Sequence, residues 1–255
     1  MSLEIKHFLI ICPLAFIAGI IDAIAGGGGL ITLPAYMLAG LPPHFAIGTN
    51  KLGAGLGTAV ALGKYMKNGY VKLRQAVVCI VCALTGSAAG AGLGMLVDDE
   101  IFGFIMALVL PVVAFYVLKE KDFDKKREVY TAKKMICLCI PVAFGVGVYD
   151  GFYGAGTGTF FLLLLTGVVH MNLREANGMT KISNLATNIA AFTVYLINGR
   201  VLWTLGLAAG VFGIAGNYIG AAVFEKGGSR IVKPVMLIVL TAFFIKICSS
   251  FIGGR

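Results

Sequence analysis

Long apolar runs recur from one end of this 255-residue chain to the other, and no other feature restricts its fold as much. A run of roughly 17–25 apolar residues crosses a lipid bilayer as a helix, and such runs occupy residues 76–97, 101–118 and 235–251. Only 13% of the residues are charged and 58% are hydrophobic, whereas a soluble domain carries about 25% charged residues. The sequence therefore predicts an all-α polytopic membrane protein with no soluble domain.

Ten apolar segments can be counted, five in each half of the chain. They cover approximately residues 8–25, 30–41, 45–64, 74–97, 101–118, 134–150, 157–171, 177–197, 202–223 and 231–251. The second segment of each half has only roughly 12–15 residues, which is too short to span a bilayer at a rise of 1.5 Å per residue. We expect these two short segments to be broken helices or to re-enter the membrane.

The two halves of the chain repeat the same polar and glycine residues at a nearly constant spacing. At one fixed offset, the matches are Asp22 with Asp150, Gly26 with Gly154, and Gly28 with Gly156. After a short insertion, a second fixed offset gives further matches, from Ala46 with Ala176 to Gly90 with Gly220. Because each repeat holds an odd number of segments, the two must insert with opposite orientation, as in many secondary transporters. The predicted organisation is a first inverted repeat at 1–122, a basic linker at 123–132 and a second repeat at 133–255.

The basic residues lie between the apolar segments and predict how the chain is oriented. A net charge of +9 could indicate a nucleic-acid-binding protein, but here the lysines and arginines cluster around residues 64–74 and 119–134. Cytoplasmic loops of membrane proteins carry such an excess of positive charge. We therefore expect a multi-pass protein of the plasma membrane, with both termini outside and with lipid rather than nucleic acid as its partner.

Two glycine-rich stretches, 26–29 and 154–158, interrupt the apolar segments at matching positions in the repeats. Glycine costs a helix about 1 kcal/mol relative to alanine, so several together end it. Broken backbone at membrane depth is tolerated only where protein or a water-filled cavity satisfies its polar groups. The pattern predicts a transport site lined by helix N-termini, although close helix packing also favours small residues. The candidate substrate-binding residues are Gly27, Gly28, Gly29, Gly156, Thr157 and Gly158.

Four charged residues fall within the apolar segments and form the second set of candidates. A charge at the bilayer centre costs at least about 2.5–3.5 kcal/mol, so such residues are usually functional or paired. Asp22 and Asp150 are candidates for proton coupling. Lys51 and Lys181 could each neutralise the aspartate of their own half or hold an anionic substrate, and the residues leave both roles open. The polar residues expected to join them in binding an oxyanion are Asn50, Thr180 and Asn184.

The sequence contains no recognisable catalytic or cofactor-binding arrangement. Cys79 and Cys82 have the spacing of a metal-binding pair, but no second pair or histidine accompanies them. His44 and His170 have no cysteine or carboxylate at ligand spacing, and a phosphate-binding loop is absent. We therefore predict that the protein is not an enzyme and holds no metal or cofactor.

The paired motifs resemble those of the TauE/SafE-type sulfite exporters. In the first half the likeness is carried by IDAIAGGGGLITLPA and GLPPHFAIGTNKL, and in the second by YDGFYGAGTGTFF, ANGMTKISNL and NGRVLW. It extends over essentially the whole chain, although the family often has proline where this chain has Ala155. The resemblance implies a transporter of small sulfur-containing anions such as sulfite, thiosulfate or organosulfonates.

The expected function is that of a secondary transporter, an exporter by its resemblance, that moves a small anion by alternating access. Its site is expected near the membrane midplane, between the two glycine breaks. Two alternatives stay open, a passive anion channel and a transporter of small carboxylates. Coupling to a proton or sodium gradient and assembly as a homo-oligomer also stay open. Coupling to ATP would need another subunit, because the sequence has no nucleotide-binding motif.

Overall fold

The computed structural model of the protein describes residues 3–98, 130–227, 230–232 and 234–235. These residues contain helices and connecting turns and no β-strand. The helices are α1 (Ile5–Ala25), α2 (Gly29–Leu38), α3 (Pro43–Lys67), α4 (Leu73–Met95), α5 (Ala132–Phe152), α6 (Thr157–Gly167), α7 (Leu173–Ile197) and α8 (Trp203–Gly227). The predicted all-α class is confirmed.

Four of the helices, α1, α4, α5 and α8, are long and apolar enough to cross a membrane. Large apolar side chains on them are exposed, such as Leu9, Val77 and Val211, as expected where a helix faces lipid rather than water. The prediction of a polytopic membrane protein is therefore confirmed. The predicted segment at 101–118 and most of the segment at 231–251 lie outside the described residues.

The two short helices, α2 and α6, fold back along the helices that precede them, α1 and α5. Tyr36 and Ala39, at the end of α2, share one buried apolar cluster with Ile11, near the start of α1. In the second half, His170 follows α6 and stacks on Tyr130, which precedes α5, with ring centroids 4.2 Å apart. Each short helix thus returns to the face from which its partner began. We call α1–α2 the first hairpin and α5–α6 the second hairpin.

The long helix of each hairpin packs against a long helix from the other half of the chain. The start and the end of α3 correspond to the start and the end of α7 at the same offset that separates Ala46 from Ala176. Helix α1 packs against α8, and α4 packs against α5. Because α1 corresponds to α5 and α4 to α8 in the repeat, these two contacts are equivalent. The boundaries at 1–122 and 133–255 stay a prediction, since most of the linker at 123–132 lies outside the described residues.

The loops meet at two opposite faces of the helical bundle, and one of them is basic. On this basic face, Lys72 forms an ion pair with Glu175 at 2.8 Å, and Asn68 donates a hydrogen bond to Glu225. The described basic residues on or next to it are Lys64, Lys67, Lys72, Arg74, Lys133, Lys134, Arg174, Lys226 and Arg230. On the opposite face, the Leu202 N–H donates to the Thr49 hydroxyl at 3.0 Å. The described basic residues on that face are Lys6 and Arg200.

Candidate functional site

The turns of the two hairpins meet at the middle of the bundle, and glycine is what allows them to touch. Gly26 ends α1 in the left-handed region, with φ of +75°, and its N–H bonds to the Asp22 carbonyl. A Cβ built on Gly26 would overlap the Gly158 carbonyl carbon. The Thr159 N–H donates to the Gly26 carbonyl at 3.1 Å, and its hydroxyl donates to the Ala25 carbonyl at 2.9 Å. The two glycine breaks are therefore in direct backbone contact.

Two buried ion pairs join the halves beside this crossing. Lys51 Nζ lies 2.6 Å from Asp150 Oδ2, and Lys181 Nζ lies 2.8 Å from Asp22 Oδ2. Lys181 also donates to the Asp22 backbone carbonyl. The expectation that each lysine could neutralise the aspartate of its own half is wrong. Because the hairpins cross, the tip of each hairpin lies against the long polar helix of the other half, and the lysine meets the distant aspartate.

The four charges are almost completely removed from solvent and sum to zero. The side chains of Lys51 and Asp150 are 2% and 1% exposed, and those of Lys181 and Asp22 are 0% and 12% exposed. The more accessible carboxylate, Asp22, also has the Thr58 hydroxyl 3.5 Å away. A pair buried this deeply cannot lose one member cheaply, since the remaining charge would be left uncompensated at a cost of about 3–5 kcal/mol.

A cavity of about 50 Å³ lies beside the crossing and is lined by residues of α1, α2, α3, α5, α6, α7 and α8. A water molecule needs roughly 10–15 Å³ by the same measure, so the cavity has room for a few waters or for one small ion. Of the residues predicted for the site, those that line the cavity are Asp22, Gly28, Gly29, Asn50, Lys51, Asp150, Thr157, Gly158 and Asn184. The structure thus brings most of the predicted residues to one place.

Four predicted residues lie outside the cavity lining. Lys181 is fully buried behind Asp22. Gly156 packs on Leu30, which a Cβ at this glycine would approach to 3.3 Å. Thr180 is also fully buried, and its hydroxyl has no partner among the described residues. The Gly27 carbonyl accepts the first hydrogen bond of α2, from the Leu30 N–H.

Residues at the N-termini of two helices line the cavity. Gly28 and Gly29 line it where α2 begins, and Thr157 and Gly158 line it where α6 begins. The first N–H groups of a helix have no intrahelical acceptor, and they carry the positive end of the helix dipole. The cavity therefore offers hydrogen-bond donors and partial positive charge to an anion. The two lysines at the site are already paired with aspartates.

Some cavity residues were missed by the sequence reasoning, and Asn217 is the most polar of them. The missed residues are Thr32 and Tyr36 of α2 and Asn217 of α8. Asn188 of α7 also lines the cavity, and the sequence predicts it on one helix face with Thr180 and Asn184. The repeat contains a signal for Asn217. Asn217 matches Ser87 at the same offset as Ala176 matches Ala46, so both halves have a polar residue at this position. An isolated polar residue in an apolar helix is otherwise explained equally well by contacts between helices.

Comparison with known proteins agrees with this architecture. Residues 11–247 match the family described as sulfite exporter TauE/SafE. The chain is 36% identical over 239 residues to a probable membrane transporter protein, ORF9, of Sinorhizobium sp, covering 92% of this chain and 90% of that one. It is 33% identical over 241 residues to a probable membrane transporter protein of Haemophilus influenzae, covering 93% of each chain.

A third relative is the probable membrane transporter protein YfcA of Escherichia coli, which is 31% identical over 237 residues, covering 91% of this chain and 86% of that one. No solved structure gives a significant match. With a family match over nearly the whole chain and relatives of this similarity, the chain belongs to the sulfite exporter TauE/SafE family of membrane transporters.

Proposed function

We propose that the protein is a secondary transporter of small sulfur-containing anions in the plasma membrane, with the cavity at the hairpin crossing as its substrate site. The observation that carries this proposal is the convergence of two helix N-termini on a small polar cavity between the repeats. Such broken helices at a repeat interface typically bind the substrate in transporters of this architecture. The sulfur-containing class comes from the family, and export is the direction that its description implies.

The charge balance of the site supports proton coupling. Two lysines and two aspartates neutralise one another, so a bound anion would add an uncompensated negative charge in a dry environment. Protonation of one aspartate would leave its lysine to balance that anion. Asp22 is better suited than Asp150, because its carboxylate is the more exposed of the two. In this mechanism one proton travels with each negative charge of the substrate.

Alternating access is supported by a cavity that lies on one side of the crossing. Ala18, Gly53 and Gly213 line it, whereas the residues at the matching repeat positions are larger and buried: Val146, Ser183 and Ala83. Among the described residues, the equivalent path through the second half is thus narrower at these three positions. In the proposed cycle, α5 moves against α4 to open that path while the path through the first half closes.

The test is a flux assay on purified protein in proteoliposomes. Labelled sulfite, thiosulfate and sulfoacetate are offered with and without an imposed pH gradient, and malonate serves as the carboxylate matched to sulfoacetate. We expect saturable flux of at least one sulfur-containing anion, accelerated by the gradient and showing counterflow. Flux without saturation or counterflow would identify a passive channel, and preference for malonate would identify a carboxylate transporter.

A matched pair of variants tests the site itself. Asp22→Asn is expected to retain exchange of substrate across the membrane but to lose the acceleration by a pH gradient. Lys226→Gln removes an exposed charge from the basic face and should leave both activities unchanged. If Asp22→Asn responds to the gradient as the unmodified protein does, proton coupling through this aspartate is excluded.

A further inference from the structure

One buried polar atom of a residue that lines the cavity has no hydrogen-bond partner among the described residues and cannot be satisfied by a simple anion. Asn217 lies on α8, is 3% exposed and lines the cavity. Its Nδ2 donates to the Gly213 carbonyl at 3.0 Å. Since a carbonyl accepts only from the nitrogen of the amide, this bond determines which end of the side chain is free. The free end is Oδ1, an acceptor that has no partner among the described residues.

The side chain of Asn217 is held in this position by glycines on two neighbouring helices. A Cβ at Gly57 of α3 would lie 2.5 Å from Nδ2, and a Cβ at Gly19 of α1 would lie 3.1 Å from it. At the matching position of the other half, the smaller Ser87 donates to the Thr187 carbonyl at 2.9 Å. Asn217, which is larger than Ser87, thus fits because the neighbouring residues Gly57 and Gly19 have no side chain. Asn217 therefore presents its acceptor from a confined position.

Several other groups of the lining are donors, and its two carboxylates, Asp22 and Asp150, are already paired with lysines. The starts of α2 and α6 contribute N–H groups, and the Nδ2 of Asn188 has no partner among the described residues. The oxygens of a sulfonate or sulfite can accept from all of these groups. They cannot satisfy Asn217 Oδ1, because two acceptors do not bond and a buried acceptor left without a donor weakens binding.

We propose that Asn217 is a specificity-determining residue that accepts a hydrogen bond from the substrate. The preferred substrates are then oxyanions that carry their own donor, either a singly protonated acid group or a hydroxyl next to the anionic group. This inference rests on the proposed function, because it assigns the substrate class of the same cavity.

The test uses two sulfonates that differ by one hydroxyl, methanesulfonate and hydroxymethanesulfonate. Their dissociation constants are measured by calorimetry on the purified full-length protein, without any need for transport. We expect the hydroxylated ligand to bind about tenfold more tightly, within the range of roughly 5-fold to 150-fold that an unsatisfied buried acceptor can cost. Asn217→Leu removes the acceptor at similar size, and the preference should then fall below twofold.

Asn188→Leu is the matched control, because it removes a donor that both ligands would use. It should weaken both by a similar factor and leave their ratio unchanged. If the leucine variant at 217 does not fold, Asn217→Ser makes the same comparison with the residue found at position 87, whose shorter side chain should lower the ratio below threefold.

The outcomes separate this inference from the function on which it rests. Equal binding of the two sulfonates by the unmodified protein, or a ratio that Asn217→Leu and Asn217→Ser leave unchanged, would overturn the role of Asn217 and leave the transporter proposal standing. Absence of binding for both sulfonates would count against the substrate class and would overturn the inference with it.

Discussion

The crossed ion pairs predict which charge-removing substitutions rescue one another. Lys181→Gln should leave the Asp22 carboxylate without its ammonium partner, although that carboxylate is only 12% exposed. Removing one member of a buried pair costs about 3–5 kcal/mol. In a protein of this size each 1 kcal/mol changes the melting temperature by about 2–4 °C, so we expect a decrease of roughly 6–20 °C.

Two double variants with equal changes in composition then give opposite results. Asp22→Asn with Lys181→Gln removes both members of one pair and should restore most of the lost stability. Asp22→Asn with Lys51→Gln removes one member from each pair, which leaves Lys181 and Asp150 without their partners. That variant should be at least as unstable as the worse of its single variants.

The assay is thermal unfolding in detergent, followed by helical circular dichroism and analysed as a double-mutant cycle. If the variant that combines Asp22→Asn with Lys51→Gln regains as much stability or more, the pairing of each lysine with the aspartate of the other half is refuted, and with it the crossing of the hairpins. We further expect the rescued Asp22→Asn, Lys181→Gln protein to be stable but unable to use a pH gradient. Recovery of gradient-driven transport would show that this pair serves only as scaffold.

Three further predictions concern the glycine turns and the orientation. Gly26→Ala should destabilise the protein far more than Gly40→Ala in the same thermal assay. Both glycines have a positive φ, but a Cβ at Gly26 would overlap the backbone, whereas a Cβ at Gly40 would have nothing within 4 Å. Gly28→Leu should abolish flux in proteoliposomes, since its Cβ would lie only 2.8 Å from the Asp22 Cβ and 2.9 Å from the Ala18 carbonyl oxygen and would displace Asp22 at the cavity; full activity would show that this position is not part of the site. With the basic face in the cytoplasm, Lys67→Cys in intact cells should react only with membrane-permeant thiol reagents and Arg200→Cys also with impermeant ones; the reverse pattern would invert the orientation.

The sequence alone was enough for those features that depend on local composition or on the repeat. Membrane insertion follows from the length and apolarity of each segment, because each apolar run must by itself be long enough to span the bilayer. The constant offset of the repeat predicted the equivalence of two helices, and α3 and α7 begin and end at that spacing. The turns at Gly26 and Gly154 were also predictable, because a cluster of glycines ends a helix whatever surrounds it.

Only the tertiary structure decided how the halves engage each other. A repeat shows that Lys51 and Lys181 are equivalent, but it contains no information on whether each meets the aspartate of its own half or of the other. The choice depends on the crossing of the hairpins, whose turns can approach so closely only because Gly26 faces the backbone at Gly158. The same packing places Asn217 at the cavity and buries Thr180 away from it, because which polar side chains reach a common space is determined by contacts between residues far apart in the chain.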